Sequence, residues 1–258
     1  MSDAAVDDTP SLRVDGLGTA VVTITLARPA SRNAMGLQFF EAFDEALDAV
    51  ANASTSAHVV LLRAEGRAFC AGFDLGACAA DPRLAARLVE RLSELSQRVR
   101  SMPAVVVASV QGPALAGGCA LVASCDIVIA TTSARFGYPV HRIGISPAVS
   151  LPILARSIGG GAARTLALGG ELIDGARAQA IGLVHELVEP EAALPERTQA
   201  LVESLAAKGP GALRATKKWL NELDRTTDAT TAGAAAHASM GTALTEECHA
   251  MIARVWER

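Results

Sequence analysis

The chain has 258 residues, 50% of them hydrophobic and 19% charged, enough apolar material for one large core. Its formal net charge of -4 argues against a general nucleic-acid-binding or acidic-membrane surface. Five cysteines (Cys70, Cys78, Cys119, Cys125 and Cys248) show neither metal-ligand nor disulfide-framework spacing, which points to reduced thiols in a cytoplasmic protein with no metal site.

Aromatic residues make up only 3%, so the core must be built from Ala, Val, Leu and Ile. Met1 to Pro10 is acidic and polar, without the basic and apolar regions of a signal peptide. Residues 1–10 are expected to form a flexible leader. No run approaches the roughly 18 apolar residues of a membrane span.

Leu12–Asp15 and Ala20–Leu26 read as a hairpin: Val21 to Thr25 are β-branched and Gly16–Gly18 supplies the turn. Leu37 to Val50 reads as an amphipathic helix, with Phe40, Phe43, Leu47 and Val50 at helical spacing. Val59–Leu62 reads as a short buried strand, and Glu65 to Gly76 as a loop. Leu84, Leu88, Leu92, Leu95 and Val99 form the apolar stripe of a second helix over residues 83–100. Glu90 and Glu94 share a face of that helix; with Arg87, Arg91 and Arg98 nearby, they read as a solvated charged face rather than a catalytic pair.

Val105–Val110 and Ile127–Ala130 are near-continuous apolar runs, consistent with strands covered on both faces. Beyond residue 150, Leu151–Ser157, Ala162–Leu168 and Ala176–Ala180 read as helices and Leu183–Val188 as a strand. From Glu191 the pattern is helical, broken at Gly209–Gly211. The expected organisation is an α/β core over residues 11–190 and a helical C-terminal region over 191–258. Lys217–Lys218 stands out as a local basic pair suited to a small anion.

Two segments carry the chemistry. Ala68-Phe-Cys-Ala-Gly-Phe-Asp-Leu75 follows a strand and turns closely at Gly72. Ala114-Leu-Ala-Gly-Gly-Cys119 lies between a strand and a helix, where small residues permit close backbone approach and a helix N-terminus presents unpaired N–H groups. One N–H from each would form an oxyanion hole. Either segment alone reads as an ordinary glycine-containing turn; together, in this order, they are far more specific.

In these segments the chain resembles the crotonase superfamily, the enoyl-CoA hydratase/isomerase family. The resemblance covers essentially the whole chain. Arg28-Pro-Ala-Ser-Arg-Asn-Ala34 resembles a CoA-contacting segment, Val106 to Asp126 the family's strand, Gly-Gly turn, helix and Cys-Asp signature, and Phe136-Gly-Tyr-Pro139 through Gly144 its substrate-pocket strand. Ala178-Gln-Ala-Ile-Gly-Leu-Val184 resembles a further family segment. The resemblance implies a spiral of ββα units forming two nearly perpendicular sheets. It also implies a helical C-terminal trimerisation region, assembly as a homotrimer or homohexamer, and an acyl-CoA ligand with no other cofactor. It places the oxyanion donors at the backbone amides of Phe73 and Gly117, CoA along Arg28, Arg32, Ala34, Ala71 and Leu75, and the acyl group near Ala120, Tyr138, Pro139, Val140, His141 and Ala148.

The pattern breaks at the acid–base positions. Family hydratases use two glutamates, and these positions hold Ala120 and Val140; a third family position for an acid holds Ala148. Only one carboxylate, Asp126, lies between Glu94 and Glu171, and it reads as structural, as does Asp74. Tyr138 and His141 are the leading candidates for proton transfer, with Tyr138 expected on the same strand face as Val140 and His141 on the other; the helix over residues 83–100 could also bring Glu90 or Glu94 toward the acyl end. Cys119 reads as packing. The expected function is binding of an acyl-CoA and stabilisation of its enolate, with decarboxylation favoured over water addition. The alternative is a catalytically silent acyl-CoA-binding protein.

Overall fold

A computed structural model describes residues 10–52 and 57–256. The expected leader lies, apart from Pro10, outside the described residues. Strands β1 (Leu12–Asp15) and β2 (Val21–Leu26) pair antiparallel. Gly16 turns between them at φ +79°, where a Cβ would stand 2.5 Å from the Val21 carbonyl oxygen. Helix α1 (Leu37–Asn52) buries Phe39, Phe40 and Phe43, half of the chain's six phenylalanines, and so concentrates the scarce aromatic surface in one place. Then come β3 (Val59–Ala64), α2 (Leu75–Ala80), α3 (Leu84–Ser101), β4 (Val105–Val110), β5 (Ala114–Leu115), α4 (Gly117–Ala123), β6 (Ile127–Thr131) and β7 (Arg135–Gly137). The chain continues through α5 (Leu151–Ile158), α6 (Gly160–Gly169), β8 (Ile173–Asp174), α7 (Gly175–Ala180) and β9 (Glu186–Val188). It ends in α8 (Leu194–Ala206), α9 (Pro210–Asp224), α10 (Ala229–Ala243) and α11 (Glu246–Trp256).

A six-stranded sheet runs in the order β1-β2-β3-β4-β6-β9, parallel from β2 onward, beside a three-stranded sheet β5-β7-β8. The large sheet is apolar on both faces because its strands alternate between two cores. Val60, Leu62, Val106 and Ala108 face the main core, while Val59, Leu61, Val105 and Val107 pack with Val202 and Leu205 of α8. The continuous apolar run of β4 is therefore buried at all six positions.

Three expectations are corrected. The region read as a loop through Gly76 contains the start of α2, because Asp74 caps it by accepting from the Ala77 N–H at 3.0 Å. The pocket strand expected over Phe136–Gly144 stops at Gly137 and becomes a 3₁₀ helix over Pro139–Ile143. Pro139 has no N–H for a ladder and its fixed φ suits a helical first turn, so face alternation does not apply beyond it. The strand expected from Leu183 begins only at Glu186, after a turn at Gly182 with φ +86°.

Lys217 is a fourth correction. It is no surface anion contact: the side chain is buried and its ammonium meets Asp126 at 2.6 Å and donates to the Ala104 carbonyl at 2.8 Å. Asp126 also accepts from the Val106 N–H at 2.8 Å and faces Arg100 at 3.9 Å. The pair ties α9 to the starts of β4 and β6. Burial lowers the Lys217 pKa from its ordinary value, opposed by the attraction of Asp126. Lys217→Ala strands that carboxylate and a carbonyl, and is expected to lose about 3 kcal/mol in urea unfolding.

Nearby, the Val128 N–H donates to Nδ1 of His185 at 2.9 Å, which requires a neutral ring. Burial, then the charge of Arg100, lowers the His185 pKa, partly offset by Asp126. The unfolded chain therefore binds the proton more readily. This contribution to stability is complete above the ordinary value of 6.5 and is lost as pH falls from there through the folded pKa. The unfolding midpoint should drop below that pH, and His185→Asn, whose Oδ1 can accept in place of Nδ1, should flatten the drop.

Candidate active site

The site begins at a left-handed turn. Arg32 and Asn33 both have positive φ, 55° and 54°, after a 3₁₀ turn over Pro29–Ser31. This turns the Asn33 side chain into the protein, where it is buried. Its amide nitrogen reaches the carbonyls of Glu65, Ala68 and Phe69 at 3.0, 3.0 and 3.1 Å, and its Oδ1 accepts from the Arg28 N–H at 2.9 Å. One side chain thus binds the 28–35 turn to the 65–70 loop. Two backbone bonds extend the clamp: the Ala71 N–H donates to Arg32 O at 3.0 Å, and the Met35 N–H to Gly72 O at 2.8 Å.

These contacts orient Phe73. Met35 and Phe73 form a parallel bridge that uses the carbonyl of Gly72 and the N–H of Asp74. The N–H of Phe73 therefore points to the other side. Gly72 lies at φ +92°, and a Cβ there would be 3.0 Å from the Ala116 Cβ and 3.6 Å from the Gly117 nitrogen. The two loops touch because position 72 has no side chain.

Gly117 is the first residue of α4, so its N–H has no intrahelical acceptor. Ala116 holds the unusual dihedrals φ 51°, ψ -115°, and its N–H is taken by Gly137 O at 2.8 Å. Gly118 lets the helix lie against Cys70, whose carbonyl oxygen would be 2.5 Å from a Cβ there. Among the described residues, neither Phe73 N–H nor Gly117 N–H has a hydrogen-bond acceptor. A non-glycine residue at φ 51° is strained, and here the strain sits beside an unpaired N–H.

Phe73 and Gly117 line a cavity of about 400 Å³. Ala71 and Leu75 contribute from the first loop, Val89 and Leu92 from α3, and Tyr138, Pro139 and Val140 from the 3₁₀ segment. Ile145, Val149 and Ser150 continue that wall, and Val255 of α11 closes a side. Helix α11 reaches both lips: the Trp256 ring would sit 2.6 Å from a Cβ at Gly76 in α2, and Cys248 lies against Gly144. Among the described residues, no aspartate, glutamate or histidine lines this cavity.

Several expected residues lie elsewhere. Ala120 is buried in α4 and Ala148 is half-buried, and neither lines the cavity, although Pro147 and Val149 do. His141 is exposed, with Nδ1 facing Gly170 rather than the cavity. Arg28, Arg32 and Ala34 stand on the clamped turn outside it. Glu90 and Glu94 are exposed, and Arg91 joins Glu94 and Asp44 on the outer face of α3. Val89, Arg142, Ser146 and Val255 were not singled out by the sequence; helical spacing from Leu92 could have found Val89, but no sequence signal marks the others.

The groups that do lie near the cavity hold their protons. Tyr138 is buried, and its hydroxyl has no hydrogen-bond partner of good geometry; Cys119 and Ser150 are its polar neighbours. Burial, and then Cys119, raises its pKa well above the ordinary tyrosine value. Burial pushes the Cys119 thiol up to about 12. Neither is a base near neutral pH.

A family model described as enoyl-CoA hydratase/isomerase matches residues 16–252. The chain belongs to the enoyl-CoA hydratase/isomerase family. It is 36% identical over 203 residues to the 2,3-dehydroadipyl-CoA hydratase of Escherichia coli K12, a match covering 78% of each chain. It is 32% identical over 208 residues to a crotonyl-CoA hydratase of Syntrophomonas wolfei, again covering 78% of each. Among solved structures, an enoyl-CoA hydratase of Mycobacterium smegmatis is 32% identical with a TM-score of 0.79, covering 96% of this chain and 97% of that one. An enoyl-CoA hydratase/isomerase of Xanthobacter autotrophicus reaches a TM-score of 0.86 at 27% identity, covering 96% and 93%. The α/β fold with its helical C-terminal region is that of the crotonase structures.

Asn33→Ala removes the donor shared by the carbonyls of Glu65, Ala68 and Phe69, of which Ala68 retains Gln111 Nε2 at 3.3 Å. It is expected to lower stability by about 2 kcal/mol and to speed amide exchange in residues 65–74 more than in β4, read by hydrogen exchange with mass spectrometry.

Proposed function

We propose that this family member binds an acyl-CoA thioester and holds the thioester oxygen between the backbone N–H groups of Phe73 and Gly117. The observation that carries this reading is two N–H groups without acceptors, on touching loops, at one apolar cavity. Donors fixed before reaction stabilise developing oxyanion charge by about 3 kcal/mol each. Coenzyme A runs along Arg28, Arg32, Ala34, Ala71 and Leu75, with the acyl group against Tyr138, Pro139 and Val140. No other cofactor takes part. The chain acts in the cytoplasm as a homotrimer or homohexamer; the exposed Trp219, Leu220 and Leu223 of α9 support association.

The names of the relatives indicate hydration. Water addition needs groups that deliver and remove protons, worth roughly 10²- to 10⁴-fold. At the positions where the family resemblance places those acids this chain has Ala120, Val140 and Ala148, and among the described residues the cavity wall offers no carboxylate or imidazole instead. Chemistry whose charge arises within the substrate suits such a wall better. In decarboxylation, the electron pair of the breaking C–C bond moves into the enolate, carbon dioxide leaves, and water supplies the proton that completes the product. The same lack of acid and base favours a second reading, an acyl-CoA-binding protein without turnover.

A panel of enoyl-, β-keto-, malonyl- and hydroxyacyl-CoA esters separates the two. Turnover of any ester, abolished in a folded Gly117→Pro variant, supports the enzyme. Binding of the panel without change supports the silent binder. Absence of CoA binding by calorimetry rejects both.

A further inference from the structure

The acyl cavity holds one strongly basic side chain that the proposed chemistry leaves unused. Arg142 lines it from the last turn of the 3₁₀ helix over Pro139–Ile143. Among the described residues it has neither an ion pair nor a side-chain hydrogen bond, as is true of several other arginines of the chain; what sets it apart is its place on the cavity wall. Among the described residues, no acidic side chain of the cavity wall offsets it. Arg142 is exposed, so water screens it on one side while the apolar wall of the cavity stands on the other, and a guanidinium so placed attracts an anion only moderately more strongly than one in open water. The neighbouring wall supplies hydroxyls at Ser146 and Ser150 and otherwise hydrocarbon.

We propose that the acyl group bound here carries a carboxylate of its own, and that Arg142 recognises it. The substrate class is then the monothioester of a dicarboxylic acid with coenzyme A. The assignment rests on the acyl-CoA reading above and adds to it which acyl chain is chosen. Position favours the acyl carboxylate over the phosphates of coenzyme A. Arg28 and Arg32, the cations expected along coenzyme A, stand outside the cavity on the turn clamped by Asn33, and Ala71 and Leu75, also expected along coenzyme A, line it from the 68–75 loop. Arg142 instead belongs to the segment that contributes Val140, Ile145 and Val149 to the cavity wall. A planar guanidinium engages a carboxylate through two parallel N–H donors, a geometry that an ammonium cannot reproduce.

The test is calorimetric titration of free coenzyme A, hexanoyl-CoA and adipyl-CoA, six-carbon chains that differ in the terminal carboxylate. The intact protein is expected to bind adipyl-CoA about tenfold more tightly than hexanoyl-CoA. In Arg142→Gln that ratio should fall to about one, and in Arg142→Lys it should stay between the two. Equal affinity for both esters in the intact protein overturns the proposal. So does an Arg142→Gln variant that weakens free coenzyme A and both esters by the same factor, since Arg142 would then be reading a phosphate. If no coenzyme A species binds, the acyl-CoA reading itself fails and this proposal falls with it; a missing preference among esters that do bind sinks only the proposal.

Discussion

The clamp made by the Asn33 amide is the contact on which the site depends. A loop such as 65–70 carries carbonyls that no strand or helix satisfies, and burying them unpaired costs about 1–3 kcal/mol each. Asn33 answers three of them at once and, through Oδ1, holds the N–H of Arg28. The left-handed backbone at Arg32 and Asn33 is unfavourable alone; asparagine tolerates it better than most residues, and the hydrogen bonds outweigh it. The bridge from Met35 to Phe73 then follows from chain connectivity, and with it the direction of the Phe73 N–H. A polar side chain that lines no part of the cavity thus sets the direction of an N–H that does.

Much of this was legible in the sequence, for reasons that differ by element. The hairpin, β3, β4, α1 and α3 were readable because apolar spacing reports burial directly, and each of these faces a core. Helix α2 was not, because six residues are too few for a period to show and the signal lay in one capping side chain, Asp74. The segment after Gly137 misled for a related reason: Phe136 and Tyr138 alternate like strand residues, but Pro139 overrides the alternation. Lys217 looked like a surface cation because lysines usually are; only the fold brings Asp126 beneath it. In the cavity, Phe73, Gly117, Tyr138 and Val140 could be named from motif positions, whereas Val255 could not, since it arrives from the last helix.

The electrostatics of the cavity follow from what its walls omit. The same burial that keeps Cys119 and Tyr138 protonated would strengthen any hydrogen bond formed inside. Fixed amide dipoles keep their orientation whatever the pH, unlike a carboxylate or an imidazole. A site relying on Phe73 and Gly117 alone would show little dependence on pH near neutrality in its ligand affinity.

Helix α11 spans from Gly144 to Gly76, and Val255 between these anchors forms part of the wall. Both anchors are glycines, so the helix rests on bare backbone at each end and can approach as closely as its own side chains allow. At Gly76 the contact is only the far end of the exposed Trp256 ring, but at Gly144 a Cβ would stand 2.8 Å from the Cys248 Cα, so the seat of the helix depends on the methyl group missing at Gly144. A residue larger than glycine at position 144 would lift the helix like a wedge under a door and reshape the space beside Val255, without altering any residue that lines it.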